Sequence, residues 1–230
     1  MSVFTSYQSP LETQLAALGA HWEAVSGRRL PMDFGDRAVE MRRASELALG
    51  DLSALPKLGL KGPGAEAWLG AAGVAVPEEV YGWRPFGADG LIMRVDRQEF
   101  FLEAGVGSTE VTLLAEKLGA HGPSVYSVAR QDVGLTLSGR RATEVLTQTC
   151  SYDFVRRTSA AESLSHEVAV LTRIALVSCT VLRLERGGVS HFRIWCSPTY
   201  GGYLWETLLG IVQELGGGPI GVAAYGTVTE

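Results

Sequence analysis

Leu58-Gly59-Leu60-Lys61-Gly62-Pro63-Gly64-Ala65-Glu66-Ala67-Trp68-Leu69 and Leu135-Thr136-Leu137-Ser138-Gly139-Arg140-Arg141-Ala142-Thr143-Glu144-Val145-Leu146 are two copies of one pattern. Leu58, Leu60, Gly62, Ala65 and Leu69 fall on Leu135, Leu137, Gly139, Ala142 and Leu146 with no gap. Each copy reads as an alternating strand, a glycine turn, and a helix whose inner face carries the Ala and Leu. The spacing between the copies is longer than the roughly 20–50-residue period of solenoids and propellers. It predicts two similar modules rather than an array.

Working outward, the first module is expected to run as a strand at 57–60, a helix at 64–72, strands at 90–94 and 99–103, and a helix at 108–118. The hairpin turn is Val95-Asp96-Arg97-Gln98, and Val111, Leu114, Ala115 and Leu118 form the inner face of the second helix. The second module repeats the plan: a strand at 132–137, a helix at 141–148, strands at 173–184 and 191–196 around Glu185-Arg186-Gly187-Gly188, and a helix at 203–215. Gly216-Gly217-Gly218-Pro219 stops that helix, and 220–230 is read as a last strand. Before the first copy, Ser9-Pro10-Leu11-Glu12 carries a serine cap, a proline and a first-turn acid, which predicts a short helix ending near Gly19. Residues 21–33 read as strand and turn, and 38–48 as a charged helix. The predicted class is α+β: two fused ferredoxin-like β-α-β-β-α modules at 55–130 and 131–230, with 1–54 packing on them to make one compact domain.

Composition narrows the function. The chain has 230 residues, 46% hydrophobic, which is enough for a substantial core. The net charge is −5 with the signs interspersed, so no basic stripe marks a nucleic-acid surface. Apolar runs stop far short of a membrane span; the longest clean one, 174–181, is strand-sized. Met1 to Gln8 shows no signal-peptide pattern, and the expected location is the cytoplasm. Three of the 20 basic residues are lysines and there is no asparagine, an avoidance of A-rich codons that points to a GC-rich bacterial genome.

Chemistry-bearing motifs are sparse. Cys150, Cys179 and Cys196 include no CxxC, and Cys179 reads as a small buried hydrophobe. His21, His121, His166 and His191 have no metal partner at i+3 or i+4, so no metal site is predicted. No P-loop, nucleophile elbow or dinucleotide fingerprint occurs. Gly105-Val106-Gly107 could seat an anion at a helix start but reads better as a strand-to-helix turn. Trp83 lies in a Gly/Pro-containing loop and Tyr200 flanks Gly201-Gly202, walls that would suit a flat heteroaromatic ligand. Trp205 reads as core. Strand alternation places Arg193 on the solvent side, where it could alternatively grip a carboxylate.

These segments carry a resemblance. Ser9-Pro10-Leu11, Gly19-Ala20-His21, Asp51-Leu52-Ser53 and the strand-Gly-x-x-Ala-x-x-x-Leu that follows resemble the opening of folate-binding aminomethyltransferases, which include the T-protein of glycine cleavage. Phe192-Arg193-Ile194, Tyr203-Leu204-Trp205-Glu206 with Leu208, and Gly218-Pro219-Ile220-Gly221 are similar to that superfamily's second half. The length, ending soon after Gly221, looks most like the gamma subunit of heterotetrameric sarcosine oxidase.

That resemblance implies a folate-type pocket with departures. Where the catalytic relatives carry paired acids near the folate nitrogen, this chain reads Gly87-Ala88-Asp89-Gly90, and one acid remains. Where they carry a glutamate that reads the pterin, it has Arg193. The pocket candidates are therefore Asp89, Trp83, Arg193 and Tyr200, with no catalytic residue assigned. The expectation is a non-catalytic gamma-like subunit of a bacterial sarcosine oxidase or related N-methyl amine demethylating oxidoreductase. FAD, FMN and NAD would sit on partner flavoprotein subunits, and this chain would hold no cofactor, tetrahydrofolate being the one left open. The alternative is a stand-alone tetrahydrofolate-dependent aminomethyltransferase or demethylase-like protein. The Lys-Gly-Cys-Tyr-x-Gly-Gln-Glu motif of relatives that maintain iron–sulfur proteins is absent from the sequence.

Overall fold

The computed structural model describes residues 8–118, 124–155 and 168–226. Its first elements are α1 (Glu12–Ala17), β1 (His21–Val25), β2 (Arg28–Asp33), α2 (Arg37–Glu46) and β3 (Ala48–Asp51). Next come β4 (Lys57–Lys61), α3 (Ala65–Ala71), β5 (Trp83–Phe86), β6 (Gly90–Asp96), β7 (Glu99–Glu103), α4 (Glu110–Leu118) and β8 (Tyr126–Val128). The rest are β9 (Val133–Ser138), α5 (Ala142–Thr149), β10 (Val170–Ile174), β11 (Val177–Arg186), β12 (Val189–Cys196), α6 (Gly201–Glu214), β13 (Gly218–Ile220) and α7 (Val222–Gly226). The protein is α+β, divided into two compact units. One comprises 55–131 with 167–169; the other comprises 1–54, 132–166 and 170–230.

The duplication is visible in the order of the strands. The smaller unit has a five-stranded sheet ordered β5-β6-β7-β4-β8, and the larger a six-stranded sheet ordered β10-β11-β12-β9-β3-β13. Strand for strand the two orders match, with β13 added in parallel at the edge beside β3. One exchange was not foreseen. β3 precedes β4 in the chain but pairs with β9, and β8 precedes β9 but pairs with β4. β4 and β9 are thus each flanked by the strand that, in sequence, leads into the other copy.

The shared glycine explains why the copies keep this turn. Gly62 has φ 120° and Gly139 φ 112°, a backbone conformation that side chains strongly disfavour. Gly62 N–H donates to Gln98 O (2.9 Å) and Gly139 N–H to Ser190 O (3.1 Å), each tying the turn to the neighbouring hairpin. Gly64 N–H then donates to Ser124 O (3.1 Å) and Arg141 N–H to Glu46 O (3.0 Å), tying it to the chain just ahead of the edge strand. A Cβ at Gly62 would stand 2.3 Å from Ser124 O, and one at Gly139 2.3 Å from Glu46 O. Conformation and close backbone approach both require glycine.

Each sheet buries one face under its helices. In the smaller unit Leu58, Leu60, Ile92, Phe100 and Leu102 meet Ala65 and Leu69 of α3 and Val111, Leu114 and Leu118 of α4. In the larger unit Leu135, Leu137, Val181, Phe192 and Ile194 meet α1, α5 and α6, with Trp205 at 1% exposure, in the core as its helical position predicts. At the far edge Ala44 of α2, Ala48, Ile220 and Ala224 of α7 form a small cluster on the opposite face. Buried Glu40 anchors this corner: its Oε1 accepts from Phe34 N–H (2.7 Å) and its Oε2 from Gly221 N–H (2.8 Å). A buried carboxylate is tolerated when backbone donors satisfy it in this way.

Two expectations are corrected. The stretch 173–184 is not one strand: it breaks at Ala175 (φ 47°) and Leu176 (φ 68°), a two-residue turn between β10 and β11. Neither residue is a turn former, so the local sequence carries no break signal. The tail is strand only over β13 and then turns helical in α7; residues 227–230 lie outside the described residues. Gly139→Ala should lower the stability by about 2–4 kcal/mol, from positive-φ strain plus the backbone clash. Gly210→Ala, in the middle of α6 with open space at its Cβ, should raise it by about 0.5–1 kcal/mol. Urea denaturation midpoints at unchanged m-value would check both.

Candidate functional site

Antiparallel register places residues 134, 136 and 138 of β9, 191, 193 and 195 of β12, and 182 and 184 of β11 on the sheet face away from α5 and α6. Ser138 pairs with His191 and Thr136 with Arg193, and all four side chains are buried. Tyr225 of α7 is buried against this row. Its hydroxyl accepts from Arg193 Nη1 (2.8 Å), and its ring is met by the guanidinium of Arg186 (4.6 Å) and that of Arg193 (5.5 Å). Arg193 also lies 5.6 Å from the Trp195 ring. The His191 and Tyr225 rings meet edge to face at 6.0 Å.

This row is polar, closed and incompletely satisfied. Among the described residues neither ring nitrogen of His191 has a hydrogen-bond partner, and neither do Ser138 Oγ and Thr136 Oγ1. Burial, reinforced by the positive charge of Arg186, lowers the His191 pKa to about 4, so the imidazole is neutral near pH 7. Buried hydroxyls and a neutral imidazole without partners have lost hydration that internal water or a polar ligand group would restore.

The predicted pocket residues are distributed over both units. Arg193 and Tyr200 belong to the larger unit, Trp83 and Asp89 to the smaller. Arg193 is 1% exposed, which corrects its expected solvent-side position: alternation holds, but the second sheet face is buried too. Tyr200 lies in the single 3-10 turn before α6 and is 55% exposed. Trp83 opens β5 opposite Met93, and its buried Nε1 has no partner among the described residues. Asp89 is exposed at φ 58° in the β5–β6 turn, a conformation Asp tolerates. At Gly90 a Cβ would meet Phe86 O at 2.5 Å and Glu103 O at 2.7 Å, so an acid has no room there. Nearby, Lys57 and Glu103 form a buried ion pair (3.4 Å). Gly105-Val106-Gly107 is a strand-to-helix connection, and Ser108 Oγ donates to the Glu110 carboxylate (3.0 Å) at the start of α4. That helix start already has its own anion.

The sequence reading missed His191, Thr136, Ser138 and Tyr225. The available signal was Leu-Thr-Leu-Ser beside His-Phe-Arg-Ile-Trp, two strands whose polar sets share one face. Among the described residues no cluster of three His, Cys, Asp or Glu could hold a metal ion. None of the helices there is long and apolar enough to cross a membrane.

Comparison with solved structures places the fold. The structure matches the glycine cleavage system aminomethyltransferase T of Bartonella henselae over 96% of this chain, with TM-score 0.71 and 20% identity. It also matches a chain of the heterotetrameric sarcosine oxidase of Corynebacterium sp. U-96, in complex with pyrrole 2-carboxylate, over 90% of this chain, with TM-score 0.63 and 19% identity. The chain shares their fold. It spans 61% of the aminomethyltransferase chain and 95% of the sarcosine oxidase chain. No protein-family model matches the sequence, and no curated protein does.

The sequence resemblance implies tetrahydrofolate, and the residues on the polar row do not fit its usual reading. A pterin presents N–H groups that need an acceptor such as a carboxylate. Among the described residues the row carries no carboxylate, and Arg193 has only donors, one of them committed to Tyr225. No catalytic step is assigned through that group.

His191 predicts a specific pH dependence. Its folded pKa, about 4, lies below its unfolded value near 6.5. The unfolded chain therefore binds a proton that the native state refuses, and stability falls as pH drops from about 6.5 toward 4. The loss is on the order of 3 kcal/mol and is complete below the folded pKa. His191→Phe should flatten this window, measured by urea unfolding between pH 7 and pH 4.

Proposed function

We propose that this chain is a non-catalytic, gamma-like subunit of a bacterial sarcosine oxidase-type oxidoreductase, assembling with flavoprotein subunits that carry the redox cofactors. The observation that carries the reading is matched extent: 90% of this chain aligns with 95% of one chain of a heterotetrameric sarcosine oxidase. The chain spans 61% of the aminomethyltransferase chain. The polar row supports the same reading. A chain whose counterpart of the pterin-reading acid is a buried arginine, locked to Tyr225, is better suited to a structural role than to folate chemistry.

The test is a tagged pull-down from the native organism, with absorbance spectra, mass spectrometry and a sarcosine oxidation assay on what co-purifies. Yellow flavoprotein partners in fixed ratio to this chain, with sarcosine-dependent oxidation, are the expected result. A lone colourless protein that binds tetrahydrofolate, and loses it on Asp89→Ala, would replace the reading with that of a stand-alone transferase.

A further inference from the structure

The three cysteines, far apart in sequence, converge in the fold. The β11–β12 hairpin turns through Gly187 (φ 55°) and Gly188 (φ 73°), the left-handed pair of a two-residue hairpin loop. The residues flanking such a loop, Arg186 and Val189, form a hydrogen-bonded pair, and hydrogen-bonded and non-hydrogen-bonded pairs alternate from there. The register is unbroken to the far end, where Cys179 pairs with Cys196. Counting along the ladder makes this a non-hydrogen-bonded pair, the type with Cα atoms about 4.5 Å apart and side chains closest. A disulfide needs Cα atoms about 4.4–6.8 Å apart.

The chemistry at this position agrees. Both thiols lie on the helix-covered face and each residue is 4% exposed. The Cys179 S–H has two acceptors in reach, Cys196 Sγ and the Val177 carbonyl (3.4 Å). Donation to Cys196 raises the Cys179 pKa and lowers that of Cys196, while burial works against ionisation at both. Cys196 is thus the better nucleophile and Cys179 the protonated partner. At the strand end both residues form part of the wall of an open depression of about 410 Å³ that also includes Asp132, Arg173 and Trp195. Cys150 stands one strand further out: its Sγ is 3.3 Å from Thr172 Oγ1, and Thr172 pairs with Cys179.

We propose that Cys179 and Cys196 are a redox-modifiable dithiol that a peroxide converts into a reversible cross-strand disulfide. Ionised Cys196 attacks one peroxide oxygen and breaks the O–O bond; it becomes a sulfenic acid and the other oxygen leaves as water. Cys179 sulfur then displaces the hydroxyl from Cys196 sulfur, forming the S–S bond and releasing a second water. The dithiol loses two protons and two electrons, and the peroxide takes them up as two waters.

The test uses the full chain, reduced, freed of reductant and exposed to stoichiometric hydrogen peroxide. Free thiols, counted by alkylation after denaturation, should fall from three to one. The intact mass should drop by two hydrogens, and a peptide joining Cys179 to Cys196 should appear, all reversed by dithiothreitol. Cys150→Ser should form the same bridge. Cys179→Ser should leave Cys196 as a sulfenic acid trapped by dimedone. Persistence of three alkylatable thiols, a bridge through Cys150, or bridging only between chains would overturn the proposal.

Discussion

At Gly139 the chain leaves the central strand of one sheet and enters a helix with its backbone pressed against Glu46, a contact too close for any side chain. Gly62 does the same against Ser124 in the other unit. Much else depends on this contact. Beside it, N–H groups link each turn to the neighbouring hairpin and to the residues leading into the flanking strand. The two copies differ at most positions, yet both carry the left-handed glycine. Backbone sterics leave no substitute for it.

The exchange of edge strands follows from the same geometry. The residue that crowds Gly139 leads into β3, and the residue that crowds Gly62 precedes β8. Each copy therefore receives its flanking strand from the segment that runs toward the other. In the larger unit this places α2 beside β3 and β13, and buried Glu40 then holds the entrance of α7 through the Gly221 N–H. Tyr225 is carried to Arg193 in consequence. The polar row is thus reached through a chain of local constraints that begins at a glycine.

Burying both faces of the six-stranded sheet has an energetic cost that the polar row makes visible. His191 stays neutral because a charged imidazole would be desolvated beside Arg186. Arg193 is buried with a hydroxyl acceptor and two aromatic faces around it. The fold matches that of an aminomethyltransferase, but a donor-only cation stands where the resemblance places an acceptor. Fold and site carry separate information here.

How much was legible depended on whether the signal was local. The repeated strand-glycine-helix pattern, the apolar faces of α4 (without Ala115, which is exposed) and α6, the buried Trp205 and the hairpin between β6 and β7 are all encoded within about a dozen neighbouring residues, where side-chain period and turn chemistry decide the outcome. The break at Ala175-Leu176, the edge pairings of β3 and β8, the buried position of Arg193, and the meeting of Cys179 with Cys196 were not. Alternation along a strand tells which residues share a face, but not which neighbour the strand takes or whether its second face meets water. Those choices are made by contacts between segments far apart in the chain. The sequence by itself determined the α+β class and the repeated strand-glycine-helix turn; only the tertiary structure decided that His191, Arg193 and Tyr225 would share one buried row, because strand partnership has no local signature.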